Sequence, residues 1–157
     1  MKHAILVSFA TGLSLAIAAT AARAAETLDL EDQFGAEFTL EGAHERAFVI
    51  IYSDRAGSKL TRPWREFLDS YADSVAVIGA ANLGSAPRIA RPFIRKAFDK
   101  APPTLLDWKG ALAERFGFEP EVPNIYVFER TGELHGALSG HGSAAELAAL
   151  RELLERL

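Results

Sequence analysis

Apolar residues in this chain occur in short continuous runs and in helical stripes. The stretch from Arg46 to Tyr52 is a run of mainly β-branched and aromatic residues, and residues 75–79 form a second apolar run. Both runs are predicted to be strands buried on both faces. Between them lies an apolar stripe at helical spacing, made of Leu60, Trp64, Phe67, Leu68 and Tyr71. This order predicts a helix to about residue 73 and two parallel strands joined by a right-handed crossover.

The pattern continues on both sides of this unit. Residues 28–40 alternate loosely around a Gly-containing turn and predict an N-terminal hairpin. A second helix, ending near Lys100, is predicted from the spacing of Ile89, Phe93, Ile94 and Ala97. The remaining predicted elements are a strand over 104–106, a helix over 111–117, a hairpin over 124–128 and 134–139, and a helix from 143 that begins with a Ser-x-x-Glu capping box. The whole predicts an α/β sandwich, with a mixed sheet of about five core strands plus the N-terminal hairpin, flanked by three or four helices.

The first 24 residues differ from the rest. A basic start, Met1–His3, precedes an apolar stretch that ends in the small-x-small sequence Ala22-Arg23-Ala24. The strongly apolar part is short for a bilayer span, so we predict a cleaved signal peptide over 1–24 and not a membrane anchor. The expectation is a single domain over 25–157 in the periplasm, with no membrane association once the signal is removed.

Composition excludes several kinds of chemistry. The 157 residues contain no cysteine, so this chain cannot perform thiol–disulfide exchange or peroxidatic chemistry and has no disulfide framework. The formal net charge is −4, and without Lys2 and Arg23 it becomes −6 for residues 25–157. An acidic domain is a poor general binder of nucleic acid, and we expect no nucleic-acid partner.

Four segments resemble the thioredoxin superfamily, in the branch of peroxiredoxins and exported thiol oxidoreductases. They are the hairpin Asp32–Leu40, the strand and helix over Phe48–Trp64, the Leu-Leu-Asp-x-x-Gly stretch within Thr104–Phe118, and the Pro-strand-turn-strand of Val122–Leu134. The loop Gly57-Ser58-Lys59 and the export signal are also similar to a periplasmic group called YtfJ-like. The resemblance covers most of residues 25–157 and implies a thioredoxin-like sandwich.

The chain departs from this family at the position that matters most. The resemblance places the catalytic cysteines near Ala56–Lys59, where this chain has none. No catalytic residue of the family therefore carries over. The resemblance further implies a cis peptide bond before Pro123, beside the former active-site loop, where the family receives an extended backbone from a partner.

Basic residues concentrate in two stretches. Nine of the 15 Lys and Arg after residue 24 lie there: Arg55, Lys59, Arg62 and Arg65 in the first, and Arg88, Arg91, Arg95, Lys96 and Lys100 in the second. Both stretches follow predicted parallel strands, so the helix N-termini should emerge at one sheet edge, where such folds bind ligands. The alternative is that they are solvated helix faces. The candidate ligand-binding residues are Ser53, Asp54, Arg55, Gly57, Ser58, Lys59, Arg62, Arg88, Val122 and Pro123.

Other chemistries have weaker support. The Gly57-Ser58-Lys59 loop lacks the remaining residues of a P-loop. His135 and His141 have no tight spacing to other ligands, so we predict no metal site and no cofactor. A hydrolase triad lacks its nucleophile elbow. Trp64 and Trp108 are interpreted as packing residues.

These observations leave three hypotheses. The first is a redox-inactive binding or accessory protein that uses the former active-site edge to bind a small anion or an acidic protein or peptide, with the partner's extended backbone added beside Pro123. The second is a divergent enzyme with non-thiol chemistry at that edge, with Lys59 or Asp54 as the acid–base group. The third is an accessory partner of a separate thiol enzyme.

Overall fold

The computed structural model describes residues 27–157, and the predicted signal peptide lies outside the described residues. Strands and helices follow the predicted order. The strands are β1 (Asp29–Glu31), β2 (Glu37–Thr39), β3 (Phe48–Ser53), β4 (Ala76–Asn82), β5 (Thr104–Asp107), β6 (Asn124–Phe128) and β7 (Leu134–Ser139). The helices are α1 (Arg62–Asp69), α2 (Arg91–Ala97), α3 (Ala111–Phe116) and α4 (Ala144–Leu154), with 3-10 turns over Gly57–Leu60 and Arg88–Ala90.

The strands form two sheets. Strands β1 and β2 make the predicted hairpin, and the main sheet has the order β5-β4-β3-β6-β7. Strand β3 is central, pairing in parallel with β4 and antiparallel with β6. The predicted α/β architecture with a five-stranded mixed sheet is therefore confirmed.

Alternating residues of β3 divide the core between the two faces of the sheet. Phe48, Ile50 and Tyr52 pack with α3 and the N-terminal hairpin. Val49 and Ile51 pack with α1 and α4. Both hydrophobic clusters and all paired strands of the described residues lie within 27–157, so the packed core that the structure shows is formed entirely after the predicted signal peptide. None of the helices described in this range is long and apolar enough to cross a bilayer.

Helices α1 and α2 differ from their predicted form. Helix α1 ends at Asp69, not near residue 73, and the chain then continues through turns. Helix α2 is shorter than predicted and begins at Arg91, next to Pro92 in its first turn. Its predicted apolar stripe is also wrong, because Ile89 and Phe93 are exposed.

The capping box that begins α4 makes stability depend on pH. The Ser143 hydroxyl accepts the Glu146 N–H at 3.3 Å, and the Glu146 carboxylate accepts the Ser143 N–H at 2.7 Å. Desolvation raises the pKa of Glu146, but the hydrogen bonds from the backbone N–H and hydroxyl of Ser143 outweigh it and hold the pKa below 4.5.

A carboxyl group whose pKa is lower in the folded than in the unfolded state stabilises the fold at pH values above its unfolded-state pKa. This contribution to stability is lost as pH falls through the folded-state pKa. In urea titrations from neutral pH to about pH 3, we expect Glu146→Gln to lose less unfolding free energy than the wild type. The difference should be below about 1 kcal/mol, because the carboxylate is largely solvated. Glu155→Gln, which leaves the box intact, should keep the wild-type pH dependence, and identical profiles for Glu146→Gln and the wild type would contradict the assignment.

Candidate functional site

The loop after β3 is fixed by Asp54. One carboxylate oxygen accepts the Gly57 N–H at 2.7 Å, and the other accepts the Glu121 N–H at 2.9 Å. The first bond shapes the 3-10 turn, and the second ties this turn to the loop before β6. Asp54 therefore holds together two loops that are 67 residues apart in sequence.

Gly57 lies directly against the second loop. A Cβ atom at Gly57 would be 2.7 Å from the carbonyl carbon and oxygen of Val122, so a larger residue would force the two loops apart. Asn124 fixes the other side of the second loop, since its side-chain amide donates to the carbonyls of Glu119 and Val122 at 2.9 and 3.0 Å. The structure thus brings Asp54, Gly57 and Val122 together where the loop after β3 meets the loop before β6.

The implied cis peptide bond before Pro123 is wrong. No peptide bond within residues 27–157 is cis. The turn into β6 is made instead by Glu121, which has a left-handed φ of 67° and whose N–H is held by Asp54. The Val122 carbonyl accepts from Asn124, and the Pro123 carbonyl accepts the Gly140 N–H at 3.1 Å. Both carbonyls therefore already have hydrogen-bond partners.

The predicted site residues fall into buried and exposed groups. The buried residues are Ser53, Gly57, Val122 and Pro123, and Asp54 is half-buried. The exposed residues are Arg55, Ser58, Lys59, Arg62 and Arg88. We call Arg55, Lys59 and Arg62 the cationic edge.

The cationic edge is largely free of internal partners. Arg62 lies 3.5 Å from Glu66 in an exposed pair. Within the part of the chain that the structure describes, Arg55 and Lys59 make no salt bridge. Their charges are therefore available to a ligand.

In the second basic stretch, residues 88–100, two arginines have a structural role in place of the predicted role in anion binding. Arg91 stacks over the Trp108 ring, 5.2 Å from its centroid. Arg95 pairs with Glu31 and donates to the carbonyls of Asp32 and Gln33 at 3.2 and 3.4 Å. Two of the five basic residues in this stretch thus join α2 to the fold and do not contribute to an anion site.

Asp107, a buried carboxylate at the end of β5, was not singled out from the sequence. Asp107 is 1% exposed and accepts the Tyr52 hydroxyl at 2.8 Å and the N–H groups of Ala111 and Leu112, both at 2.9 Å. Burial, with Asp107 nearby, raises the pKa of Tyr52 and of Tyr126 far above the ordinary range. Both phenols remain protonated, and Asp107 acts as the cap of α3. The available signal was an Asp four residues before the start of the predicted helix, in the motif Leu-Leu-Asp-x-x-Gly.

A small groove adjoins the edge. It has a volume of about 310 Å³ and is lined by Phe116, Gly117, Phe118, Glu119, Asn124, Tyr126, Ala137, Leu138 and Ser139. The backbone and side chain of Asn124 link it to the loop of Val122. A larger cavity of about 350 Å³ lies at the opposite end of β3, near Arg46 and Val75, and includes none of the predicted site residues.

Comparisons with protein-family models and with curated proteins gave no match. Solved structures do match. An exposed lipoprotein thioredoxin of Streptococcus pneumoniae aligns with a TM-score of 0.64 and 16% identity, over 84% of this chain and 100% of that chain. StoA of Bacillus subtilis gives 0.56 and 18%, over 82% and 96%, and a thiol peroxidase of Chromobacterium violaceum gives 0.54 and 17%, over 83% of each. Identities this low establish the fold alone: the chain has a thioredoxin-like fold without cysteine.

Proposed function

We propose that this protein is an exported, redox-inactive binding protein of thioredoxin-like fold that uses its cationic edge to bind an anionic ligand or an acidic partner. One observation carries the proposal. The loop where the resemblance places catalytic cysteines holds exposed Arg55 and Lys59 instead, and Asp54 fixes that loop against the loop of Val122.

The fixed loop favours binding. Because Asp54 and the close contact at Gly57 set the backbone before a ligand arrives, little conformational entropy is lost in the loop on binding. The cations then act from defined positions, Arg55 through paired hydrogen bonds to a carboxylate or phosphate and Lys59 as a point charge. The N-terminus of α1, directly after Lys59 and Leu60, adds a partial positive charge.

The geometry favours recognition of the ligand by side chains and not by backbone hydrogen bonds. The carbonyls of Val122 and Pro123 are already hydrogen-bonded, so strand addition beside Pro123 receives no support from the geometry. An acidic peptide or a small carboxylate or phosphate needs only the exposed cations. This narrows the proposal to recognition by charge.

The export that we propose is inferred from the N-terminal sequence. Residues 1–24 have the basic start, apolar stretch and Ala22-Arg23-Ala24 site of a signal peptide. The solved structures similar to this chain include an exposed lipoprotein thioredoxin and a putative thiol:disulfide interchange protein, and this agrees with a periplasmic location. The alternative enzyme is less well supported, because the Asp54 carboxylate already accepts two backbone N–H groups.

A defined probe tests the proposal. Fluorescein-labelled hexaglutamate would be titrated at low ionic strength with residues 25–157 and followed by anisotropy. We expect Arg55→Glu/Lys59→Glu to weaken binding about tenfold or more, since attraction becomes repulsion at two positions. Arg62 is left unchanged, because reversing it would place a second acid beside Glu66.

The matched control reverses two charges in the second basic stretch. Lys96→Glu/Lys100→Glu changes the net charge equally, and we expect hexaglutamate affinity to stay within about twofold of the wild type. If both variants lost hexaglutamate affinity equally, the loss would follow from net charge alone, and a localised site would be contradicted. Reduction of insulin disulfides or of peroxide by the purified chain would contradict the redox-inactive assignment.

A further inference from the structure

Helix α2 and the turn before it expose large apolar side chains. Ile89 is 85% and Phe93 76% exposed, more than any other large apolar residue described in 27–157. Lys96 and Lys100 are also exposed. Phe93 and Lys96 lie three residues apart on α2 and so share one side of the helix, while Ile89 lies in the 3-10 turn before it and Lys100 in the turns after Ala97. We call Ile89, Phe93, Lys96 and Lys100 the α2 ridge.

The inner side of α2 is anchored, which keeps the ridge facing outward. Arg91 stacks on Trp108, and Arg95 bonds to Glu31 and the hairpin carbonyls. Buried Gln33 reinforces this contact: its amide nitrogen lies 3.1–3.2 Å from the carbonyls of Phe98, Ala101 and Pro102, and its oxygen accepts the Thr104 N–H at 2.8 Å. Turning Ile89 and Phe93 inward would break these bonds, so their exposure is built into the fold.

We propose that the α2 ridge docks this protein on the surface of an anionic phospholipid bilayer, with Ile89 and Phe93 entering the interface and Lys96 and Lys100 contacting the headgroups. An exposed apolar pair beside cations on one helical side is the pattern of interfacial helices. Each basic residue near an anionic surface adds attraction.

Composition favours a lipid surface over a protein partner. Residues 87–98 consist solely of Ala, Pro, Ile, Phe, Arg and Lys. The segment thus has no neutral hydrogen-bonding side chain and no acid. Protein interfaces normally include a network of directional hydrogen bonds, whereas a bilayer surface needs only positive charge and apolar insertion.

Charge also sets the orientation. Residues 25–157 carry a formal charge of −6, so most of the protein surface is repelled by anionic headgroups. The ridge, where Asp99 is the single acid of residues 87–100, combines exposed cations with exposed apolar side chains, whereas the cationic edge has no exposed large apolar side chain, so the ridge is the side that suits the membrane interface. This inference revises the expectation of no membrane association after signal cleavage, and it is independent of the function proposed for the cationic edge.

Vesicle co-sedimentation tests the inference. Residues 25–157 would be mixed with vesicles of equal parts phosphatidylglycerol and phosphatidylcholine, and with vesicles of phosphatidylcholine alone. We expect binding to the anionic vesicles that weakens at high salt, as screening requires. Ile89→Ser/Phe93→Ser and Lys96→Gln/Lys100→Gln should each lower the partition coefficient about tenfold or more.

Arg130→Gln/Arg156→Gln serves as the matched control, because it removes two exposed positive charges that belong neither to the α2 ridge nor to the cationic edge. We expect its partition coefficient to stay within about twofold of the wild type. All substituted ridge positions are exposed, and circular dichroism would confirm that each variant is folded. The inference would be overturned if the protein did not bind anionic vesicles, if Ile89→Ser/Phe93→Ser bound them as the wild type does, or if the control lost as much binding as the ridge variants. Absence of vesicle binding is also the outcome expected if the ridge binds a protein partner.

Discussion

Replacing Asp107 by Ala is expected to lower the free energy of unfolding by about 3–5 kcal/mol. The carboxylate is buried and accepts N–H groups at the start of α3 together with the Tyr52 hydroxyl. Without it the Tyr52 hydroxyl and the N–H groups of Ala111 and Leu112 lose their partner. Urea unfolding followed by far-UV circular dichroism measures the loss, which is a large part of the stability of an ordinary domain.

Two conservative variants separate the contributions of Asp107. Asp107→Asn keeps one acceptor oxygen for α3, so its loss should be about half that of Asp107→Ala. Tyr52→Phe removes one donor and leaves the backbone bonds of Asp107 in place, so it should cost about 1 kcal/mol. If Asp107→Ala were no more destabilising than Tyr52→Phe, the carboxylate would not be the cap of α3.

The central strands were predictable because their signals are local. The run that became β3 is apolar at every position from Phe48 to Tyr52, and all of β3 is buried. Strands β6 and β7 match their predicted bounds, since a turn with Gly132 at a φ of 80° separates two clear strand patterns. A strand buried on both faces leaves a continuous apolar run that needs no knowledge of distant residues.

Helix α2 shows why periodicity fails to identify the buried side of a helix. The spacing of Ile89 and Phe93 correctly predicts a helical segment, but the opposite side faces the protein. That side contains Arg91 and Arg95, whose partners Trp108 and Glu31 lie 17 and 64 residues away. Pairs at such separations leave no signature in a single sequence, so the arginines were assigned to solvent or to a ligand.

The order of strands and loops around the candidate site was predictable, but the structural roles of its polar residues were not. The sequence placed Asp54 among the ligand-binding residues, and the structure gives it a structural role through the distant N–H of Glu121. Asn124 was assigned only to a strand, yet its side chain holds the Glu119 and Val122 carbonyls. Chain order and strand direction locate the edge of a sheet, whereas the partner of each polar side chain depends on packing that has no local signal.

The second large effect is expected at Trp64, which connects α1 to the rest of the molecule. Its side chain is fully buried, and its indole N–H donates to the Gly140 carbonyl at 3.1 Å, which ties the start of α1 to the end of β7. Trp64→Ala should lower the free energy of unfolding by about 3–5 kcal/mol, because it leaves a large cavity and an unpaired carbonyl. Trp64→Phe keeps most of the packing and should cost about 1–2 kcal/mol. Both values come from urea titrations.

Trp108→Ala is the matched comparison, since the same side chain is removed from a half-buried position. Trp108 stacks with Arg91 and belongs to neither core cluster, so its loss should cost about 1–2 kcal/mol.

The Trp64 and Trp108 variants should also differ in function. Because α1 begins at Arg62, within the cationic edge and close to Lys59 in sequence, Trp64→Ala should weaken hexaglutamate binding, while Trp108→Ala should loosen α2 and reduce vesicle binding. Equal destabilisation by the two substitutions, or loss of the same binding activity in both, would contradict the separate anchoring of the cationic edge and the α2 ridge.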